Sequence, residues 1–415
     1  MGAAIHLAAL QATVPEVQQV LPIRHLAGYL RLSCLQGASA DYGAGAESVV
    51  MPLSCTYSVA PAILEAAQPD DCLFMSFSFS CVAIFCLLGA CILSACIVRG
   101  MIGLAVMDTP GHRSAHDKPT PKGGGIGVML AFAGVLPVLM PVTGQSLLSL
   151  PACTLAAATL LLCAVSWLDD IYQWSPAIKF AAQCAAACII VAGGIALPWP
   201  TPFIGAVLSV LWLIFITNAV NFMDGLNGLI SGCLCVAALC IAGSAIYLGV
   251  PALRWPALLM AFCLAGFLPF NFPNARIFLG DVGSQGCGLL AGAAALYTAA
   301  HSPLPSGWVV GPALLFPLIY DVIFTLVRRK LGGHSLVQAH RGHLYQVLHR
   351  SGIFAPTISC MEWAFTVWGM IVSYCVAPMP VMAGSITAFT LVCVPQLAWT
   401  GFTLLRTRQH PVGAW

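Results

Sequence analysis

Long apolar runs separated by short polar loops constrain this 415-residue chain more than any other feature. Charged residues make up 7% of the chain and hydrophobic residues 60%, whereas a soluble domain carries about 25% charged residues. A helix needs about 20 apolar residues to cross the hydrocarbon core of a bilayer. We therefore predict an all-α polytopic membrane protein with about 10–11 transmembrane helices. The eleven candidate spans follow Met75, at 76–98, 126–141, 148–168, 177–197, 203–219, 229–249, 255–270, 285–301, 308–327, 356–377 and 380–404.

Residues 1–74 differ from the rest of the chain. They hold six of the fourteen acidic residues and no run long enough to span a bilayer, and they lack the three regions of a signal peptide. Because an apolar run begins directly at Met75, one hypothesis is that Met75 is the true start and that 1–74 is a disordered extension or a mis-assigned start. The alternative is a loosely structured arm outside the membrane. Residues 75–415 would form a single transmembrane domain.

The nineteen cysteines lie mostly inside apolar runs, and none has zinc-ligand spacing with nearby histidines. We interpret them as small apolar side chains rather than as disulfides or metal ligands.

Lys and Arg residues predict the orientation of the chain, because cytoplasmic loops of membrane proteins are enriched in them. With the Met75 end outside, the inside loops and the C-terminal tail hold thirteen Lys or Arg residues, and the outside loops hold only Arg254. The polar motifs described below then all face the cytoplasm. We interpret them as parts of one composite site.

The first two inside loops carry candidate ligands for phosphate and for metal. Residues 108–127 read DTPGHRSAHDKPTPKGGGIG, and glycines before a helix N-terminus are typical of phosphate sites. An ordinary flexible loop is the alternative. Residues 167–175 read WLDDIYQWS, in which the adjacent Asp169 and Asp170 repel each other unless a cation relieves them. Mg²⁺ would suit them, although a solvated loop pair remains open.

The third and fourth inside loops add amide and carboxylate oxygens. Residues 218–228 read NAVNFMDGLNG, and residues 271–288 read NFPNARIFLGDVGSQGCG. Asn221 and Asp224 are three apart and share a face of a helical turn, where they could serve a metal or a nucleotide. Asp281, beside small residues at a helix start, suits a complex of Mg²⁺ and phosphate. For each of these side chains, helix capping is the alternative.

The fifth inside loop, 328–352, reads RRKLGGHSLVQAHRGHLYQVLHRSG. His340, Arg341 and His343 are close enough in sequence to converge on an anion, and Asp321 could simply pair with a basic neighbour. The five loops together predict phosphoryl transfer to a lipid phosphate at the cytoplasmic face. A transporter is the competing class, but its site would lie near the membrane midplane between repeated halves, and no convincing internal repeat is present.

The five motifs, in this order between these spans, resemble the polyprenyl-phosphate N-acetylhexosamine-1-phosphate transferases (the WecA, TagO, WbpL and MraY-like family). AHRGHLYQ at 339–346 looks most like the WbpL and O-antigen branch. The resemblance implies transfer of sugar-1-phosphate from a UDP-N-acetylhexosamine to undecaprenyl phosphate, with release of UMP. The lipid-linked product would initiate O-antigen or other cell-envelope polysaccharide synthesis. An MraY-type phospho-MurNAc-pentapeptide transferase is the alternative.

The resemblance also implies a setting and partners. We expect a multi-pass protein of the bacterial plasma membrane with its active site in the cytoplasm, no nucleic-acid partner, and an assembly compatible with a homodimer. Whether transfer takes one step or passes through an aspartyl-phosphate stays open, and no residue in the sequence identifies the sugar.

Residue roles follow from the same motifs. The resemblance implies that Asn221 and Asp281 hold Mg²⁺, with Mn²⁺ as a substitute, and that Asp224 supports the metal or the nucleotide. It implies catalytic roles for Asp169, Asp170, Asp281, His340 and His343, and substrate-binding roles for Arg113, Lys122, Asn218, Asp224 and Arg341. The chain departs from the family pattern at Gln173, where many relatives have a third Asp, and at His112, where relatives often have Asn.

Overall fold

The computed structural model describes residues 69–104, 107–108, 120–335, 340–413 and 415. Within these ranges most residues are helical, and strands β1 (Met107–Asp108) and β2 (Thr120–Pro121) form one short antiparallel pair. Residues 1–68 lie outside the described part, so the hypothesis about the true start stays a prediction. The helices are α1 Pro69–Leu104, α2 Gly124–Val142, α3 Leu150–Tyr172, α4 Pro176–Ala192, α5 Pro202–Met223, α6 Leu229–Ser244, α7 Arg254–Asn271, α8 Gly280–His301, α9 Val310–Leu314, α10 Phe316–Leu331, α11 Leu344–Arg350, α12 Ala355–Val376 and α13 Val381–Gln409.

The all-α polytopic prediction is confirmed, and each of the eleven predicted spans overlaps a helix. By length and composition alone, six helices in the described part of the chain are apolar enough to cross a membrane. The number becomes seven when the bent pair 307–314 and 316–331 counts as one span. This pair bends by 64°, next to Pro317 in the first turn of α10, where proline cannot continue the preceding helix. The exact number of membrane crossings stays a prediction.

Helix α8 is buried along most of its length and packs against α2, α3 and α5. Small residues make this close packing possible, as they do in membrane helix pairs generally. A methyl group at Gly288 would lie 3.1 Å from the Cα of Thr217 on α5, and one at Gly292 would lie 3.3 Å from Leu213. The first turn of α8, which carries Asp281, is thereby fixed at one end of the bundle.

Two glycines at the start of α2 serve this packing, whereas phosphate binding by the rest of the loop stays a prediction, because residues 109–119 lie outside the described part. The N–H groups of Gly124 and Gly125 donate to the carbonyl oxygens of Phe278 and Leu279, at 2.9 and 2.8 Å. These donors are therefore not available to an anion. A methyl group on Gly125 would lie only 2.2 Å from the Cα of Gly283, so the glycine is required for the two helix starts to meet.

Candidate active site

A chain of carboxylates and lysines joins the ends of three helices. Asp169 and Asp170 lie in the last turn of α3, Lys179 in the first turn of α4 and Asp281 in the first turn of α8. The Lys179 Nζ lies 2.5 Å from an oxygen of Asp169 and 2.7 Å from an oxygen of Asp281. One ammonium group thus bridges two carboxylates that are 112 positions apart in the sequence.

The second aspartate of the pair has a different lysine. Lys122 Nζ lies 2.7 Å from Oδ1 of Asp170, and Lys122 is held in place by the pairing of its backbone with Phe278. Asp169 and Asp170 are only 6% and 9% exposed, and buried charges are tolerated only when they are paired. The remaining oxygen of each, Oδ1 of Asp169 and Oδ2 of Asp170, has no hydrogen-bond partner among the described residues.

Asn221, at the end of α5, faces the first turn of α8. Its Nδ2 donates to Oδ1 of Asp281 at 3.1 Å and to the Ser284 hydroxyl at 2.8 Å. To offer its amide oxygen to a metal, Asn221 would have to turn its amide over, since the nitrogen is the atom placed against Asp281 here. Asn221 and Asp281, the two predicted metal ligands, are therefore neighbours.

Asp224 follows α5 as its C-cap residue and faces the same segment. Its carboxylate accepts a hydrogen bond from the Gly280 N–H. Burial, and secondarily the charge of Asp281, raise the pKa of Asp224 to about 7, against the lowering effect of that hydrogen bond. As the sequence predicted, Asn221 and Asp224 share one face, and this face is directed at the start of α8.

The cluster has the chemistry that a hard divalent cation requires. Three carboxylates contact the two ammonium groups, and Asp224 lies near Asp281, so the cluster has an excess of two negative charges when all are ionised. Two buried carboxylate oxygens are without partners in the described part of the chain, and Mg²⁺ prefers oxygen ligands. Among the described residues no three metal-binding side chains already converge, and Lys179 lies between Asp169 and Asp281. The chemistry of these side chains fits Mg²⁺. Binding of Mg²⁺ stays a proposal, because the side chains do not converge on one point.

The histidine loop (residues 340–345) lies against the end of α5. Tyr345 donates its hydroxyl to the carbonyl oxygen of Phe222 at 3.1 Å, and the Phe222 ring lies 6.5 Å from the ring of His343. His340 and His343 stack with their ring centres 5.1 Å apart. The loop therefore approaches the turn that carries Asn221 and Asp224.

His340 is neutral at physiological pH. Burial, and then the charges of His343, Arg329 and Arg328, lower the pKa of His340 to about 4. Its Nδ1 accepts a hydrogen bond from the Gly342 N–H at 3.2 Å, which also requires an unprotonated nitrogen. His340 can thus contact a phosphate by hydrogen bonding rather than by charge.

The remaining predicted substrate-binding residues differ in their placement. Asn218 has protein partners at both ends of its amide, because it exchanges two hydrogen bonds with Gln183 at 2.8 and 3.2 Å. Arg341 is partly exposed in the histidine loop. Arg113 lies outside the described residues. The substrate-binding roles of all three stay predictions.

The sequence did not indicate the role of Lys179 and indicated only part of the role of Asp321. Lys179 was counted only as a positive charge of an inside loop, although it is the sole Lys or Arg between residues 123 and 253. That isolation was a usable signal. Pairing with a basic neighbour was one interpretation of Asp321, and in the structure it contacts His343 at 2.9 Å. It also binds two backbone N–H groups of the histidine loop, which no sequence pattern indicated.

An apolar cavity of about 770 Å³ lies beside the cluster, with α2, α3, α7 and α8 contributing to its walls. Ile126 and Trp167 line it, and both lie within 3.6 Å of a methyl group placed on Gly123, the residue after Lys122. The cavity therefore reaches the base of the loop that carries this lysine.

The chain is similar to known membrane phospho-sugar transferases. The model of the family described as Glycosyl transferase family 4 matches residues 152–299, which include Asp169, Asp170, Asn221 and Asp281. A protein of Bacillus subtilis named as a probable undecaprenyl-phosphate N-acetylglucosaminyl 1-phosphate transferase is 29% identical, over 61% of this chain and 72% of its own length.

Two further relatives extend the comparison. The decaprenyl-phosphate N-acetylglucosaminephosphotransferase of Mycobacterium tuberculosis is 30% identical over 60% of this chain and 70% of its own length. A phospho-N-acetylmuramoyl-pentapeptide-transferase of Moorella thermoacetica is 37% identical, but over only 34% of this chain and 45% of its own length. From these matches, and from the polar cluster at the helix ends, the chain belongs to glycosyl transferase family 4, a family of phospho-sugar transferases of the membrane.

Proposed function

We propose that this protein transfers sugar-1-phosphate from a UDP-N-acetylhexosamine to undecaprenyl phosphate, with release of UMP. The observation that carries the proposal is the bridge from Asp169 through Lys179 to Asp281, at helix ends that also hold Asn221 and Asp170. The names of the relatives, which specify undecaprenyl or decaprenyl phosphate and N-acetylglucosamine, support the same substrates. The apolar cavity beside Lys122 offers room for part of a lipid chain.

The chemistry requires one bond to form and one to break. An oxygen of the acceptor phosphate attacks the β-phosphorus of the donor, and the bond from that phosphorus to the bridging oxygen of UMP breaks. A phosphate monoester has its second pKa near ~6 and is largely dianionic at neutral pH. Neither Asp169 nor Asp170 is therefore required as a strong base. Their roles in this proposal are to position Lys179 and Lys122, whose positive charges would stabilise the phosphates.

Mg²⁺ would bind at Asn221 and Asp281, where it would neutralise charge on the diphosphate and on the leaving UMP. Asp224 is placed to support this site through the start of α8.

We also propose that the site faces the cytoplasm of a bacterial cell. Thirteen Lys and Arg residues lie in the loops and tail on its side of the predicted topology, and one lies on the opposite side.

The biological pathway follows from the donor and from the histidine loop. The AHRGHLYQ form at 339–346 favours initiation of O-antigen or a related cell-envelope polysaccharide. The local 37% identity to a phospho-N-acetylmuramoyl-pentapeptide-transferase supports a second candidate, transfer of phospho-MurNAc-pentapeptide. The choice between them depends on the donor that is accepted.

The test supplies membranes that contain the full chain with undecaprenyl phosphate and a panel of UDP-sugars, including UDP-MurNAc-pentapeptide, and measures UMP. We expect lipid-dependent release of UMP from a UDP-N-acetylhexosamine, its loss with EDTA and its recovery with Mg²⁺. Asp281→Asn should reduce turnover by at least about 100-fold without unfolding the protein. If none of the donors gives lipid-dependent release of UMP, the proposed function is wrong. If turnover persists in EDTA, the proposed requirement for Mg²⁺ is wrong.

A further inference from the structure

Asp321, in the middle of α10, lies outside the lysine and carboxylate cluster and is only 2% exposed. Its Oδ1 is 2.9 Å from Nδ1 of His343 and accepts from the Leu344 N–H at 3.1 Å, and its Oδ2 accepts from the Tyr345 N–H at 3.1 Å. Thr325 donates a further hydrogen bond at 3.1 Å. One buried carboxylate therefore holds three consecutive residues of the histidine loop.

This contact determines how His343 is presented. An ionised carboxylate can only accept hydrogen bonds, so the Nδ1 of His343 must carry the hydrogen that is donated to Asp321. The opposite ring nitrogen, Nε2, is the atom left for other partners. The imidazole is 6% exposed and is stacked between the rings of His340 and Tyr345, at 5.1 and 5.8 Å. The orientation of the ring is thus fixed by protein contacts.

Tyr345 extends the same arrangement to the turn after α5. Its side chain is fully buried, and its hydroxyl donates to the carbonyl oxygen of Phe222, the residue next to Asn221. A methyl group at Gly225 would lie 2.3 Å from that hydroxyl, so the turn is shaped to receive it. Because Tyr345 is buried, it cannot contact substrate where it stands.

We propose that Asp321 and Tyr345 form an anchor that fixes the histidine loop onto the end of α5, and that Asp321 is the positioning residue for His343. This inference rests on the proposed function, because it gives His343 a role at the phosphates. Asp321 acts through His343, and Tyr345 sets the distance between the histidine loop and Asn221.

The test measures kcat and the KM for UDP-N-acetylhexosamine with purified full-length protein in lipid nanodiscs. Asp321→Asn should lower kcat by about 100-fold, the scale of one proton-transfer or charge-stabilising group, with KM changed by less than about threefold. The control is Glu362→Gln, another buried carboxylate, on α12, which should leave kcat within about twofold. Unchanged kcat in Asp321→Asn overturns the proposal.

A double-mutant cycle separates positioning from a general structural role. If Asp321 acts through His343, the double variant Asp321→Asn, His343→Gln should be no slower than His343→Gln alone. A double variant slower by the product of the two single effects would contradict that.

If Asp321→Asn does not fold, Tyr345→Phe replaces it as the test. A folded Tyr345→Phe variant with kcat lowered about 10-fold supports the anchor, and a variant with the wild-type kcat overturns it. Wild-type protein without UMP release would refute the proposed function instead.

Discussion

Lys179 ties the aspartate pair at the end of α3 to the first turn of α8. Its side chain is 30% exposed and its ammonium group contacts both Asp169 and Asp281, so it neutralises charge inside the cluster without being fully buried. The adjacent aspartates were predictable, because two like charges at the edge of an apolar span need a partner. The identity of that partner was not, because a lone lysine in an inside loop also satisfies the orientation rule.

Lys179→Met should lower kcat by about 100-fold or more, because two carboxylates lose their shared cation and the phosphates lose a nearby positive charge. Lys179→Arg should restore part of the activity, because the charge is kept while the geometry changes. The measurement is UMP release at saturating donor and acceptor. Lys330→Met, at the exposed end of α10, is the matched control and should remain active. Full activity in Lys179→Met would exclude the lysine from the site.

The role of the glycines at the start of α2 could not be predicted from the sequence. The helix itself was predicted from its apolar run, but three glycines before a helix are compatible with either anion binding or close packing. Only the fold shows that Phe278 and Leu279 take the free N–H groups and that Gly283 leaves no room for a side chain at Gly125. The long-range pairing decides the role of the glycines, and it joins residues more than 150 positions apart.

This packing predicts a stability defect at the level of the helix pair. Gly125→Ala should destabilise the protein by about 1–3 kcal/mol, because the new methyl group meets backbone that cannot move aside. Thermal unfolding in detergent, followed by intrinsic fluorescence, measures the shift in midpoint. Gly134→Ala on the same helix has open space around it and should be neutral or slightly stabilising. Equal midpoints for the two variants would contradict the packing role of Gly125.

For the whole molecule, hydropathy predicted the long helices, and the loop motifs predicted which acidic and amide side chains meet. Asp169, Asp170, Asn221, Asp224 and Asp281 all belong to one end of the bundle. The sequence could not predict that Asp321 organises the histidine loop, because its partners are backbone N–H groups that carry no residue-type signal. Hydropathy alone did not predict the bend of 64° between 307–314 and 316–331, because Pro317 interrupts the helix without interrupting the apolar run.

The fate of the donor's β-phosphate distinguishes transfer of sugar-1-phosphate from transfer of the sugar alone. UDP-N-acetylhexosamine labelled with ³²P in that phosphate is incubated with undecaprenyl phosphate and membranes that contain the wild-type chain, and with Asp281→Asn membranes as the control. Transfer of sugar-1-phosphate predicts that the label moves into the lipid extract, with one UMP released for each labelled lipid. Label that remains in water-soluble UDP while sugar appears in the lipid would show ordinary glycosyl transfer and would contradict the proposed reaction.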